Sequence, residues 1–122
     1  HEPLPNRPQL EREKVAEIFR KEIVQRITRN LLDIQVLRLV RTEPMWGYKI
    51  KKQAEAKFGV TLRHGALYPL LNELEQESFI IGQNQRQGGR KRKVYQITRK
   101  GEEYLEAYNS VLKQQLKGND TR

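Results

Sequence analysis

The chain has 122 residues, which is enough for one small domain with terminal extensions but too few for two independent cores. Its 24 Lys and Arg against 15 Asp and Glu give a net charge of +9, which favours a polyanionic partner such as nucleic acid. Cysteine is absent, and His1 and His64 lie too far apart for a zinc motif, so no metal or cofactor is predicted. No apolar run approaches the roughly 20 residues of a membrane span, and no signal peptide is recognisable. A soluble, cytoplasmic protein is therefore expected.

The N-terminal third of the chain begins with a proline-rich stretch. Residues 1–9 contain three prolines and no periodicity, which indicates a flexible arm. From Leu10, apolar residues fall on one helical face and basic residues on the other, which predicts a helix over residues 10–30. The apolar stripe consists of Leu10, Val15, Ile18, Phe19, Ile23, Val24 and Ile27.

Two further helices are predicted before residue 60. Residues 31–40 are apolar on nearly all sides, which suits the central helix of a small core, and Pro44 follows its end. A third helix is predicted to open within residues 45–48 and to end near Phe58, with Gly59 as its C-terminal stop. Tyr48, Ile50 and Ala54 are predicted to face the core, and Trp46 and Tyr48 are interpreted as packing aromatics.

The helix predicted over residues 63–78 carries the most distinctive pattern. Leu67, Leu70, Leu71 and Leu74 mark a buried face. On the opposite face His64, Tyr68 and Asn72 recur every four residues, with Gly65 and Pro69 beside them. We call these three residues the outer ridge. Because a connector of only a few residues precedes this helix, the spacing is that of a helix-turn-helix.

The rest of the chain predicts a β-hairpin and a closing helix. Strands are predicted over residues 80–85 and 91–98, joined by a glycine-containing loop with basic flanks that could reach a phosphate backbone. Thr98 is predicted to cap a last helix, residues 99–116, before a frayed tail. Its apolar stripe consists of Tyr104, Leu105, Tyr108, Val111, Leu112 and Leu116.

Three sequence runs, VLRLVRTEPMWGYKI, FGVTLRHGALYPLLNELEQESFI and GGRKRKVYQITRKG, resemble the PadR family of transcriptional regulators. The resemblance spans about residues 31–108. It implies a mostly α-helical winged helix-turn-helix with a small β-hairpin and long N- and C-terminal dimerisation helices. It further implies a dimeric repressor whose Tyr68 helix enters the major groove while the Gly88-Gly89 wing contacts the flanking backbone. The implied divisions are an arm (1–9), an N-terminal dimerisation helix (10–30), a DNA-binding domain (31–98), and a C-terminal dimerisation helix with its tail (99–122).

Candidate DNA-binding residues follow from the outer ridge, the wing and the third helix. The Tyr68 phenol is expected to donate to a phosphate, Asn72 and His64 to reach base edges, and the basic side chains to contact phosphates. Lys49, Lys51 and Lys52 could contact phosphate from the third helix, and a solvated face is equally compatible with all three. The full expected set is Lys49, Arg63, His64, Gly65, Tyr68, Pro69, Asn72, Arg90, Lys91, Arg92 and Lys93.

The two terminal helices carry more apolar surface than a domain of this size is expected to cover. A homodimer is therefore predicted; the competing arrangement folds the first helix back over the last one within one chain. The expected interface residues are Val15, Ile18, Phe19, Ile23, Ile27, Tyr104, Leu105, Tyr108 and Leu112. The last helix lacks the tryptophan with which some members of the family stack flat drugs, so whether a small-molecule effector binds is left open.

No catalytic constellation is recognisable. Glu102 and Glu103 lie together, but no His, Cys or phosphate-binding loop accompanies them. The sequence therefore predicts a DNA-binding regulator, not an enzyme, that reads a palindromic operator as a dimer. Two alternatives remain open: a winged-helix protein-interaction module, and an architectural protein that binds double-stranded DNA through charge alone.

Overall fold

The structure, a computed structural model, describes residues 8–59 and 61–117. Within these residues, five helices and three strands follow one another. They are α1 (Gln9–Asn30), α2 (Leu32–Thr42), β1 (Met45–Trp46), α3 (Gly47–Phe58), α4 (His64–Gln76), β2 (Ile80–Gln87), β3 (Arg90–Ile97) and α5 (Arg99–Lys117). The predicted arm lies outside the described residues except for residues 8 and 9, and Gln9 already belongs to α1. The predicted tail beyond residue 117 also lies outside them.

The core is built around α2, as its apolar pattern predicts. Val36 and Leu37 are fully buried, and α3, α5 and β3 pack against this helix. Leu67 and Leu71 bring the inner face of α4 into the same core. Burying side chains of this kind stabilises a fold by roughly 1.5–3 kcal/mol each, so the position of α4 is set by its leucines.

The turn between α3 and α4 is closed by a glutamate. Gly59 has φ of +66°, a left-handed conformation that favours glycine, and its N–H donates to the Glu55 carbonyl at 2.9 Å. The carboxylate of Glu55 accepts a hydrogen bond from the Leu62 N–H at 2.8 Å. Leu62 is buried, so the connector into α4 is anchored by both a hydrogen bond and an apolar contact.

The sheet has three strands in the order β1-β3-β2, all antiparallel to their neighbours. The sequence predicted only the hairpin, and placed Met45 and Trp46 at the start of the third helix. That placement was wrong, since Met45 pairs with Tyr95 and Trp46 with Val94. The hairpin itself turns through Gly88 and Gly89, whose φ angles of +57° and +80° are those of a tight two-residue turn.

Thr98 joins α5 to the end of α4. Its hydroxyl accepts a hydrogen bond from the Gly101 N–H at 3.0 Å, which confirms the predicted cap. The same hydroxyl donates to the Ser78 carbonyl at 2.6 Å in the turn that follows α4. One side chain therefore fixes the start of α5 and the exit from α4.

Helix α1 contacts its own domain only near its C-terminal end. Thr28 is buried and Val24 packs against the core, whereas residues 8–23 are exposed except for the half-buried Val15. The arrangement in which α1 folds back over α5 within one chain is therefore not the one observed. A helix of about 12–15 residues without tertiary contacts is marginal in water, so this half of α1 lacks the packing that would stabilise it.

Candidate nucleic-acid interface

The outer face of α4 is accessible, as the spacing of the outer ridge predicts. Tyr68 is 41% exposed, and Gly65, Pro69 and Asn72 are exposed as well. His64 begins the helix, but its side chain lies outside the described part of the structure. Leu67, Leu71 and Leu74 are buried on the opposite face, so the division of α4 into an inner and an outer side is as predicted.

Pro69 lies deeper in α4 than its chemistry favours. It is the sixth residue of the helix, beyond the first turn, and proline has no N–H to donate to the carbonyl four residues earlier. The carbonyl of Gly65 therefore lacks its helical donor. Because both residues are exposed, this acceptor is on the accessible side of α4 rather than in the core.

A cleft of about 620 Å³ lies between the start of α3, Tyr68 and the wing. We call it the α3–wing cleft. Its lining combines aromatic rings with the basic residues of β3, which is the chemistry expected of a surface that meets a phosphate backbone. The lining residues are Trp46, Gly47, Tyr48, Tyr68, Arg90, Lys91, Arg92, Lys93 and Tyr95.

The basic residues of the wing are in different environments. Arg90 and Lys91 are exposed, whereas the guanidinium of Arg92 lies 4.4 Å from the centre of the Trp46 ring. A cation in this position is held by the ring and still carries its charge at the cleft. Lys93 forms a 2.8 Å ion pair with Glu75, so it is the least free of the four.

The Glu75–Lys93 ion pair links α4 to the wing. Glu75 also accepts a hydrogen bond from the Gly82 N–H at 3.1 Å. The Lys93 hydrogen bond lowers the pKa of Glu75 below its ordinary value, and the same hydrogen bond raises the pKa of Lys93. Beside them, burial raises the pKa of the Tyr95 phenol. The carboxylate of Glu75 and the ammonium of Lys93 therefore both stay charged at neutral pH, and the pair fixes the wing against α4.

Two predicted phosphate ligands lie away from the α3–wing cleft. The Lys49 ammonium is 2.6 Å from a carboxylate oxygen of Glu43, which partly neutralises it. Arg63, at the N-cap of α4, lines a separate cleft of about 290 Å³ against the end of α1. The structure thus brings Tyr68 and the wing together, but not these two side chains.

Tyr48 was assigned to the core, and that assignment was wrong. Its side chain is 54% exposed at the α3–wing cleft, with the Lys52 ammonium 5.5 Å from its ring centre. Helical phase contained the signal: Ile50 and Ala54 are fully buried, and a residue two positions before Ile50 lies about 200° around the helix. Trp46, by contrast, is half-buried, in keeping with its assignment as a packing aromatic.

The terminal helices keep part of their predicted apolar surface exposed. On α1, Ile18, Phe19, Ile23 and Ile27 are about half exposed, and Val111 and Leu116 are exposed on α5. Leu105 was expected at a dimer interface, but this was wrong, because it is fully buried in the core of its own chain. Its position on α5 faces α2 rather than solvent.

The two tyrosines of α5 are partly used within the chain. The Tyr104 ring stacks on Phe79 with centroids 4.4 Å apart, and Tyr108 meets Tyr104 edge-on at 6.0 Å. Burial raises the pKa of Tyr108 above its ordinary value. Both rings remain half-buried, as does Leu112, so they border the apolar surface of α5 rather than forming its exposed part.

Neither a cluster of metal-ligating side chains nor a membrane-spanning helix is found within residues 8–59 and 61–117. No group of His, Asp or Glu side chains there is arranged to hold an ion. None of the helices in those ranges combines the length and the apolar character that crossing a bilayer requires.

A family model and several solved structures that resemble this chain all point to the same protein family. Residues 36–107 match the family described as Transcriptional regulator PadR-like family. Among solved structures, the chain is similar to a PadR family transcriptional regulator from Eggerthella lenta DSM 2243, with a TM-score of 0.71, 25% identity and coverage of 88% of this chain and 94% of that one. A PadR-like transcriptional regulator from Bacillus cereus gives a TM-score of 0.68, 26% identity and coverage of 78% and 93%.

Bacillus subtilis PadR, solved in complex with operator DNA, is also similar, with a TM-score of 0.59 and 28% identity. That similarity covers 64% of this chain and 46% of the Bacillus subtilis protein. No match is found among curated proteins. The helices α2, α3 and α4 with the β2–β3 wing define a winged helix-turn-helix protein of the transcription-regulator class. The chain belongs to the PadR-like family of transcriptional regulators.

Proposed function

We propose that this protein is a transcriptional repressor that binds a palindromic operator as a homodimer, with α4 in the major groove and the wing on the flanking backbone. The observation that carries the proposal is the joint placement of Tyr68 and the wing cations around the α3–wing cleft. The Bacillus subtilis PadR structure is a complex with operator DNA, which supports DNA binding by this protein. The repressor role rests on the resemblance to the family.

Residues of α4 are proposed to supply selectivity. Tyr68 and Asn72 are both exposed on the outer face of α4; the Tyr68 phenol is proposed to hold the helix in register on a phosphate, and Asn can pair with an adenine edge in the major groove. His64 and Gly65, one turn earlier, and Pro69 belong to the same proposed contact surface. A good contact of this kind is worth roughly 1–3 kcal/mol of discrimination.

The wing is proposed to supply affinity. Arg90, Lys91 and Arg92 reach the cleft from β3, and arginine and lysine at a glycine turn suit phosphate oxygens better than base edges. Lys93 contributes less because Glu75 neutralises it, and Lys49 less because of Glu43. Arg63 is proposed to contact phosphate independently of the wing.

The homodimer is proposed from the exposed apolar surface of the terminal helices. The stripe of α1 with Ile18, Phe19 and Ile23 has no partner within the described part of the chain, and Val15 and Ile27 extend it. Pairing with the exposed side of α5, bordered by Tyr104, Tyr108 and Leu112, removes that surface from water in both chains. A two-fold dimer also sets two α4 helices about 34–36 Å apart, one turn of the duplex.

A selection experiment tests the proposal against its alternatives. Duplexes that the full chain retains from a random pool are sequenced, and affinities for the selected and a shuffled duplex are compared at several salt concentrations. The proposal predicts a palindromic consensus bound on the order of 10³-fold or more tightly than the shuffled duplex at fixed salt. Equal affinity for both duplexes would instead identify a sequence-neutral binder, and no binding to either would favour a protein-interaction module.

A further inference from the structure

Gly47, the first residue of α3, lies directly beneath the ring of Tyr68. A Cβ atom added to Gly47 would lie 2.9 Å from Cε1 of Tyr68 and 3.4 Å from both its Cζ and its hydroxyl oxygen. Gly47 is buried, whereas Tyr68 remains 41% exposed above it. The ring edge of the tyrosine therefore rests on a position that has no side chain.

We propose that Gly47 is a positioning residue for DNA recognition: its missing side chain lets the Tyr68 ring rest on the start of α3 and fixes the phenol hydroxyl at the α3–wing cleft. This inference rests on the proposed function, because it assigns to Gly47 a role only through Tyr68. The contact between Gly47 on α3 and Tyr68 on α4 joins the two helices of the helix-turn-helix.

The backbone of Gly47 does not itself require glycine. Its φ lies outside the positive range that L side chains rarely adopt, and α3 already begins at this residue. Alanine is a better helix former than glycine, so its backbone conformation is accessible there. The requirement for glycine comes from the neighbouring ring.

The neighbouring atoms that a Cβ would meet belong to the outer end of a partly exposed side chain. Such a ring can turn away into solvent at little cost to folding. Carbon atoms pack at about 3.5–4.0 Å, so the ring edge must retreat by roughly 0.6–1.1 Å. A hydrogen bond from a hydroxyl spans only about 2.5–3.0 Å, and a displacement of this size takes the phenol out of range of a phosphate oxygen.

The test is a double-mutant cycle on the full chain, with four proteins: the parent, Gly47→Ala, Tyr68→Ala and the double variant. Affinity for the selected duplex and the melting temperature are measured for each. We expect Gly47→Ala to weaken binding about tenfold, the loss of one hydrogen bond, while its melting temperature is unchanged or higher. In the Tyr68→Ala background the same substitution is expected to have no further effect on affinity, because the ring that it displaces is gone.

Four outcomes would overturn the inference. Gly47→Ala could bind like the parent, or it could weaken binding equally in both backgrounds, which would mean that Gly47 acts on something other than Tyr68. A melting temperature lowered alike in both backgrounds would show that Gly47 is a folding residue. If Tyr68→Ala itself bound the duplex as tightly as the parent, the role of Tyr68 in the proposed function would fail as well. The other three outcomes would overturn the role of Gly47 and leave the role of Tyr68 in DNA binding intact.

Discussion

Removing two charges from the wing should change the salt dependence of DNA binding in a calculable way. Arg90 is exposed beside the glycine turn, and Arg92 is held over Trp46 with its guanidinium at the α3–wing cleft. If each contacts one phosphate, the double substitution Arg90→Ala with Arg92→Ala removes two contacts. Each lost contact lowers the slope of log affinity against log salt by about 0.9, so the pair lowers it by about 1.8.

The assay is fluorescence anisotropy with a labelled duplex at salt concentrations from about 50 to 200 mM. When the salt concentration rises fourfold, a slope that is smaller by about 1.8 means that the affinity of the variant falls about 12-fold less than the affinity of the parent. Because the wing is proposed to contact phosphates, the loss of affinity should be similar for selected and shuffled duplexes.

A matched control removes the same charge elsewhere. Lys113 and Lys117 are exposed on α5, away from the α3–wing cleft, and replacing both by Ala should leave the slope close to that of the parent. The reasoning would be refuted if the wing variant kept the parental slope. It would also be refuted if the α5 control lowered the slope equally, because the effect would then be one of net charge.

Two further predictions concern stability and assembly. The hydrogen bond from Lys93 lowers the pKa of Glu75 from its ordinary value of 4.5. The ion pair therefore stabilises the folded protein at pH values above 4.5, and this stabilisation is lost as the pH falls through the lower pKa that Glu75 has in the folded state. Urea denaturation should therefore show Glu75→Gln less stable by at most about 1 kcal/mol at pH 7, with the difference shrinking in acid; a constant difference would contradict this. In sedimentation velocity at micromolar concentration the parent should be a dimer. Ile23→Asp with Leu112→Asp should dissociate it while the exposed control Gln53→Asp should not, and a monomeric parent would contradict the dimer.

The helices could be predicted because their patterns are long and regular. The span predicted for α1 differs from the observed one by a single residue, and the division of α4 into buried and exposed faces follows from leucines repeated over several turns. The glycine pair of the wing likewise specifies its turn locally. In each case the information lies within a short stretch of neighbouring residues.

Features that depend on distant residues could not be read in this way. Strand β1 has only two residues, and its pairing depends on Tyr95 and Val94, far along the chain. Leu105 shares the apolar stripe of α5 with Val111, and periodicity alone does not indicate which of the two packs on α2. Lys93 belongs to a run of cations, but its partner Glu75 lies on another element. A contact across the fold decided each of these cases.

The central claim is that α4 gives this protein its sequence selectivity, with the Tyr68 phosphate contact holding the helix in register so that its base contacts form on the operator. The most direct measurement is the ratio of affinities for the selected and the shuffled duplex, at one salt concentration, for the parent, Tyr68→Ala and the α4 control Gln76→Ala, an exposed residue at the other end of the helix. We predict that Tyr68→Ala lowers this ratio by a factor that corresponds to roughly 1–3 kcal/mol, because the register contact is made only on the selected duplex, while Gln76→Ala leaves the ratio unchanged. A folded Tyr68→Ala variant that kept the parental ratio would contradict it.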